Sequence, residues 1–155
     1  LFLSTYINKV DKKGRVSVPS SYRGMLKKQP FNGIVAYQSF VNNCIEACDI
    51  SRIERLSDSI DSLDPYSEER DAFATAILGG ASQLAYDNDA RVILPENLLK
   101  DADIKDKALF IGKGPTLEIW NPARFASHAE RARDIAKQKR HMLRLSKNNE
   151  VADGE

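Results

Sequence analysis

The chain has 155 residues, a net charge of only +1, an apolar share of 42% and a charged share of 29%, which fits a folded protein of one ordinary domain or two very small ones. It holds no apolar run of the roughly 18 residues that a membrane span needs. Residues 1–6 lack a basic stretch and a long apolar stretch, so no secretory leader is expected and the chain is expected in the cytoplasm. The first residue is Leu1, which points to processing, a non-standard start or trimming.

The small net charge hides an uneven distribution. Up to position 30, Lys9, Lys12, Lys13, Arg15, Arg23, Lys27 and Lys28 face a single acid, Asp11. From Arg124 to Lys147, eight cations face Glu130 and Asp134. The intervening residues 46–71 hold nine acids against three bases. Two basic ends around an acidic middle suit a protein that shows one face to a polyanion, and equally suit an ordinary solvated helical surface. Cys44 and Cys48 read as small buried thiols. A zinc site needs two more ligands, and the only histidines, His128 and His141, stand thirteen apart, so no metal and no cofactor are expected.

In chain order, the first predicted element is a half-buried strand with Val10, Val16 and Val18 on one face. A tight turn at Lys12-Lys13-Gly14 interrupts it, with Gly14 supplying positive φ and Pro19 ending the ladder. A turn around Gln29-Pro30-Phe31-Asn32-Gly33 follows, then short apolar strands over residues 33–37 and 44–48. Asp49 is a candidate helix cap before the helically spaced Ile53, Leu56 and Ile60. Asp64-Pro65 with Glu68 and Glu69 opens another helix through Phe73 and Ile77, closed by Gly79-Gly80.

The pattern then repeats. Shifted by 76 positions, Asp11, Arg15, Val16, Val18 and Pro19 fall on Asp87, Arg91, Val92, Leu94 and Pro95, and Phe2 falls on Leu78. Further on the shift is 72, laying residues 44–49 on 116–121 and Arg52-Ile53 on Arg124-Phe125. Two blocks in the same order with a four-residue indel are a tandem duplication, the indel being expected in the 29–33 loop. Strands are therefore expected over residues 108–111 and 116–120. A last helix should begin at Asn121-Pro122 and run into the basic stretch, and the polar tail should fray. The expected organisation is a first repeat over 1–53, a helical connection over 54–77, a second repeat over 78–125, a C-terminal helix over 126–145 and a flexible tail over 146–155.

One Asp-x-x-x-Arg hairpin is bland, because an Asp that bonds its own turn beside a solvated Arg is a common recipe. Two copies that keep Asp and Arg while the second (Asp87-Asn88-Asp89-Ala90-Arg91) loses the Gly and both lysines are less so, since a pure turn requirement would keep the Gly. The stretch Asp11-Lys12-Lys13-Gly14-Arg15-Val16-Ser17-Val18-Pro19 resembles the signature of the AbrB-like, swapped-hairpin transition-state regulators. The tandem arrangement, with Phe2 leading and Glu46 or Glu118 before each helix, is similar to the MraZ family in particular, over nearly the whole chain to about Arg144. The resemblance implies an α+β fold: two tandem AbrB-like swapped-hairpin units forming a pseudo-symmetric β-barrel with flanking helices. It also implies a homo-oligomeric ring, bacterial and nucleoid-associated, that regulates transcription by binding short direct repeats of double-stranded DNA upstream of cell-division and cell-wall genes, its own included. Ala90 stands where the family has Gly, and Asp89 adds negative charge, so the first copy is expected to carry most of the contact.

A two-stranded ribbon fits the major groove, where base edges carry a distinct donor and acceptor pattern. Arg15 suits a bidentate contact to guanine, with Arg91 as its weaker counterpart. Lys9, Lys12 and Lys13 suit phosphates, and Ser17 suits a phosphate or is simply an exposed strand residue. Asp11, Gly14, Pro19, Asp87 and Pro95 are assigned to the hairpin framework, Asp11 by accepting turn N–H groups and orienting Arg15. The basic C-terminal run reads more simply as a solvated helix face. Ser127-His128 and the carboxylates Asp58, Asp61 and Asp64 are the only candidate catalytic groupings. Neighbours on a helix diverge, and the carboxylates look like capping and solubility, so no enzyme and no small-molecule substrate are expected. The alternative reading is an antitoxin-like interaction module whose acidic segment, residues 46–71, docks a partner, with DNA binding secondary.

Overall fold

The computed structural model describes residues 1–26 and 29–145. Lys27 and Lys28, two of the N-terminal cations, and the tail expected to fray lie outside the described residues. The chain divides into two compact units, Leu1–Pro122 and Ala123–Glu155. The fold is α+β.

Among the described residues of the first unit, eight strands and four α-helices alternate as β1 (Thr5–Lys9), β2 (Arg15–Ser17), α1 (Ser20–Leu26), β3 (Gly33–Gln38), β4 (Ile45–Cys48), α2 (Ile50–Asp61), α3 (Glu68–Phe73), β5 (Ser82–Ala85), β6 (Arg91–Ile93), α4 (Glu96–Ala102), β7 (Lys107–Gly112) and β8 (Leu117–Trp120). A π-turn, Ala74–Leu78, continues α3. The second unit is built on α5 (Pro122–Gln138) and a 3-10 turn, Arg140–Met142.

Six strands form one antiparallel sheet in the order β1-β7-β8-β4-β3-β5, and β2 pairs with β6 in a separate ribbon. Each strand of one half has its counterpart four strands later, and the order reads the same from either edge once counterparts are exchanged. The pairing crosses the halves: β1 lies on β7, β5 lies on β3, and β4 meets β8 at the centre. Register locates the indel. Ile7 opposes Leu109 and Gln83 opposes Val35, while Val35 opposes Cys48 and Leu109 opposes Trp120. Counterparts are thus 76 apart in β1/β5, 74 in β3/β7 and 72 in β4/β8. The four extra residues of the first half are split between two loops, the one before β3 and the one between β3 and β4, and do not sit in the 29–33 turn alone.

Alternation along the strands sorts side chains to two faces. On the inner face Ile34, Ala36, Ile45, Ala47, Ala108, Phe110, Leu117 and Ile119 form the main core with Val10, Val16, Val18, Val92 and Leu94 of the two hairpins. α1 and α4 close this core with Tyr22, Leu26, Leu98 and Ala102. These two short helices were not expected from the sequence. Their apolar positions span only two turns, and the prolines before them read equally as strand ends. On the outer face Tyr37 and Cys48 pack with Ile60 of α2 and Ile77 of the π-turn.

Local signals explain where the helices begin. Asp49 caps α2 by accepting from the Arg52 N–H, as its position suggested. α3 starts later than Asp64-Pro65: Ser67 is its cap, accepting from Arg70 N–H, and Glu68, Glu69 and Asp71 complement its first turn. Pro122 opens α5. The 76-residue shift does not hold for Phe2 and Leu78. Phe2 bridges Gly114 and packs edge-on against Tyr22 at 5.5 Å, whereas Leu78 ends the π-turn.

Candidate nucleic-acid interface

The β2–β6 ribbon has one buried and one solvent face. Val16 opposes Val92, both essentially fully buried, while Arg15 opposes Ile93 and Ser17 opposes Arg91. The solvent face is therefore a patch of four residues, with Arg15 and Arg91 as diagonal neighbours, roughly 7–8 Å apart in such a pair. Ile93 sits among them 58% exposed, an apolar member of the patch that the motif alone does not reveal. Its signal is its position two after Arg91, on the same face of the strand.

Each arginine is anchored by the turn that precedes it. Both turns are three-residue hairpin loops whose last residue is left-handed. The Asp11 N–H donates to the Arg15 carbonyl at 3.0 Å, and the Asp87 N–H to the Arg91 carbonyl at 2.8 Å. Asp11 Oδ1 accepts from the Lys13 and Arg15 N–H groups, both at 2.9 Å, and its Oδ2 accepts from Arg15 Nε at 2.6 Å. Asp87 repeats the pattern with Asp89 N–H at 2.8 Å, Arg91 N–H at 2.9 Å and Arg91 Nε at 3.1 Å. The backbone N–H of Arg15 is the chief reason that the Asp11 carboxyl lies below the ordinary aspartate range, and that of Arg91 does the same for Asp87. Both aspartates are engaged by their own hairpins.

The two ends differ in what remains. Among the described residues Asp11 is Arg15's only ion-pair partner, and it takes Nε alone; a guanidinium carries four further N–H groups on its terminal nitrogens. Arg91 gives Nε to Asp87 and also Nη2 to Asp89 at 3.3 Å. Lys12 and Lys13 are exposed at the tip of the first turn, and Lys9 is exposed at the end of β1. The corresponding tip of the second turn holds Asn88 and Asp89. Gly14 has φ of 82° and Ala90 of 59°, so the alanine occupies a conformation that costs an L-residue on the order of 1–2 kcal/mol. Gly14 is also pressed close, since a Cβ there would lie 2.9 Å from the Leu94 carbonyl oxygen. Pro19 is buried at the end of the first hairpin, Pro95 half-buried at the end of the second. The Asn8 side chain donates to the Ser17 carbonyl at 2.7 Å, tying the ribbon to the sheet edge.

The remaining candidates lie elsewhere. Cys44 and Cys48 are buried free thiols, and burial is the chief cause that pushes the Cys48 thiol up to about 12 and raises that of Cys44 as well. Glu46 and Glu118 oppose each other across β4 and β8. Glu118 is buried with its carboxylate accepting from Trp120 Nε1 at 2.9 Å, Lys113 Nζ at 3.3 Å and Asn42 Nδ2 at 3.3 Å, while Glu46 opposes Tyr37 across β3 and β4. These are structural uses of charge in the middle of a sheet. No helix among the described residues is long and apolar enough to cross a membrane. In the second unit Phe125 and His128 lie ring to ring at 6.3 Å.

Comparison with known proteins places relatives around this arrangement. The family described as "MraZ protein, putative antitoxin-like" matches residues 77–145. The chain is 57% identical over 144 residues to the transcriptional regulator MraZ of Rickettsia akari (strain Hartford), covering 93% of this chain and 97% of the relative. It is 56% identical, with the same coverage, to the proteins of that name from Rickettsia typhi (strain ATCC VR-144 / Wilmington) and Rickettsia bellii (strain OSU 85-389).

Proposed function

Because this chain belongs to the MraZ family, we propose that it is a transcriptional regulator that binds double-stranded DNA through the β2–β6 ribbon and its two flanking turns. The observation that carries the reading is the ribbon's solvent face, where Arg15 and Arg91 are diagonal neighbours, each held by the carboxylate of its own turn. Arginines pre-oriented in this way lose little rotamer freedom on engaging a base edge or phosphate. In this reading Arg15 recognises guanine, Lys9, Lys12 and Lys13 neutralise phosphates, and Ser17 contacts the backbone. Arg91, already shared between two aspartates, contributes less.

The fold supports reading the six-stranded sheet and the ribbon as two swapped-hairpin halves of one barrel-like unit, since every outer strand pairs with the opposite half. The reading extends to a homo-oligomeric ring that engages short direct repeats upstream of its own operon of cell-division and cell-wall genes. A ring turns weak contacts to successive repeats into intramolecular ones. The acidic segment favours regulation over partner docking: Ile53, Leu56 and Ile60 of α2 are committed to the outer core, leaving no free tail there. The test is fluorescence anisotropy on a duplex carrying direct repeats from the protein's own upstream region, as a function of salt. Preference over a scrambled duplex, with affinity falling steeply as salt rises, is expected; equal and weak binding to both duplexes sinks the reading.

A further inference from the structure

The second hairpin turn is poor in cations of its own, yet the fold brings one to it from the opposite half. Arg23, half-exposed on α1, lines two open clefts that flank this turn. One, of about 440 Å³, it shares with Ser20, Asn32, Tyr86, Asp87 and Asn88; the other, of about 420 Å³, it shares with Asn8, Ser17 and Asp89. The counterpart of Arg23 on α4, 76 positions on, is Leu99. Leu99 packs behind the first turn, its Cδ1 3.3 Å from where a Cβ on Gly14 would stand. The turn rich in lysine is thus backed by a leucine, and the turn without lysine by an arginine.

Among the described residues Arg23 makes no ion pair, and the nearby acids are already engaged, Asp87 by its own turn and Arg91, Asp89 by Arg91. Beside Arg23 the Tyr86 hydroxyl is buried without a hydrogen-bond partner among the described residues, a state that costs stability until a partner arrives. Burial holds that hydroxyl protonated, its pKa pushed up to about 12 against the opposing pull of Arg23.

We propose that Arg23 is a phosphate-binding residue for the second hairpin, holding a DNA backbone phosphate in the cleft beside Asn88, with Ser20 and Tyr86 as neighbouring hydroxyls. This rests on the DNA-binding reading above. A guanidinium suits the task because its fork matches phosphate oxygens two at a time. Such a contact sets the position of the duplex without reading its sequence, which supplies at the Arg91 end what Lys12 and Lys13 supply at the Arg15 end.

The experiment measures affinity against salt for the full-length protein on repeat and scrambled duplexes, with Arg23→Gln, Arg23→Ala, Arg23→Lys and Arg15→Ala. Arg23→Gln keeps the stem and serves if Arg23→Ala melts early. Removing the Arg23 charge is expected to weaken both duplexes several-fold alike. It should also lower the slope of log affinity on log salt by about 0.9 for each phosphate no longer neutralised, with Arg23→Lys recovering most of it. Arg15→Ala is expected to erase the preference between duplexes. If Arg23→Gln keeps the wild-type slope while wild type discriminates the duplexes, the Arg23 assignment falls and the DNA reading stands. If wild type neither discriminates nor responds to salt, the DNA reading itself falls and takes the assignment with it. Millimolar inorganic phosphate that shifts the Arg23 Nε–H resonance while the DNA slope stays insensitive to Arg23 marks a free-anion site, which also overturns the assignment.

Discussion

Asp11 accepts from two backbone N–H groups and from Arg15 Nε, so substitutions at the two members of this pair do different things. Arg15→Ala leaves the turn's backbone bonds in place and removes a half-exposed ion pair, of a kind that adds little stability. Its expected effect on repeat-DNA binding is larger, about 1–3 kcal/mol per engaged site with relaxed base preference. Lys12→Ala should weaken all sequences alike and lower the salt slope by about one, and Arg91→Ala should cost less than Arg15→Ala. Melting temperature and affinity measured on the same preparations separate DNA contact from hairpin bracing; an Arg15→Ala protein with full affinity at moderate salt refutes the assignment. The aspartates carry a pH signature. Their folded carboxyls lie below the ordinary value of 3.8, so their contribution is complete above that value and is lost as pH falls through the lowered one. Asp11→Asn with Asp87→Asn should therefore flatten the acid limb of melting temperature against pH below about 4. An unchanged acid limb shows that these carboxyls titrate alike folded and unfolded.

At the scale of the hairpin, the two left-handed positions predict opposite responses. Ala90→Gly relieves a strained φ and should stabilise by roughly 0.5–1 kcal/mol, net of the added chain entropy. Gly14→Ala meets both the positive φ and the Leu94 carbonyl, and should destabilise by more than about 1 kcal/mol. Denaturant midpoints of the two variants check this, and a destabilised Ala90→Gly contradicts it. The Asp-x-x-x-Arg turns and the capped helix after Asp49 were legible because each is encoded within a few consecutive residues. α1 and α4 were not, because seven residues with two buried positions each leave too weak a period to separate a helix from a loop. Ile93 shares the face of Arg91 by strand alternation, but no motif marks it as part of a site.

At the scale of the whole first unit, strand order dictates that neither half folds alone. The first half contributes β1, β4 and β3, but β7 and β8 of the second half lie between β1 and β4. A fragment of residues 1–80 should therefore lack a cooperative unfolding transition and regain sheet signal only when mixed with residues 81–145. Circular dichroism of each fragment and of the mixture tests this, and a fragment 1–80 that melts cooperatively as a monomer disproves it. The proposed ring is checked by light scattering of the intact protein at micromolar concentration, where a monomer mass excludes it.

The sequence by itself determined the duplication, the strands and the hairpin chemistry. Each of these is written in spacing, alternation and turn residues, which act over a few positions along the chain. Only the tertiary structure decided which strands the halves exchange, that the indel is divided between two loops, and that Arg15 and Arg91 share one face. It alone set Arg23 beside the turn that lacks lysines. These facts depend on which strand pairs with which across about 76 residues of chain, and that choice is made by burying Val16, Val92 and Phe110 in one common core, a collective gain that no local pattern specifies.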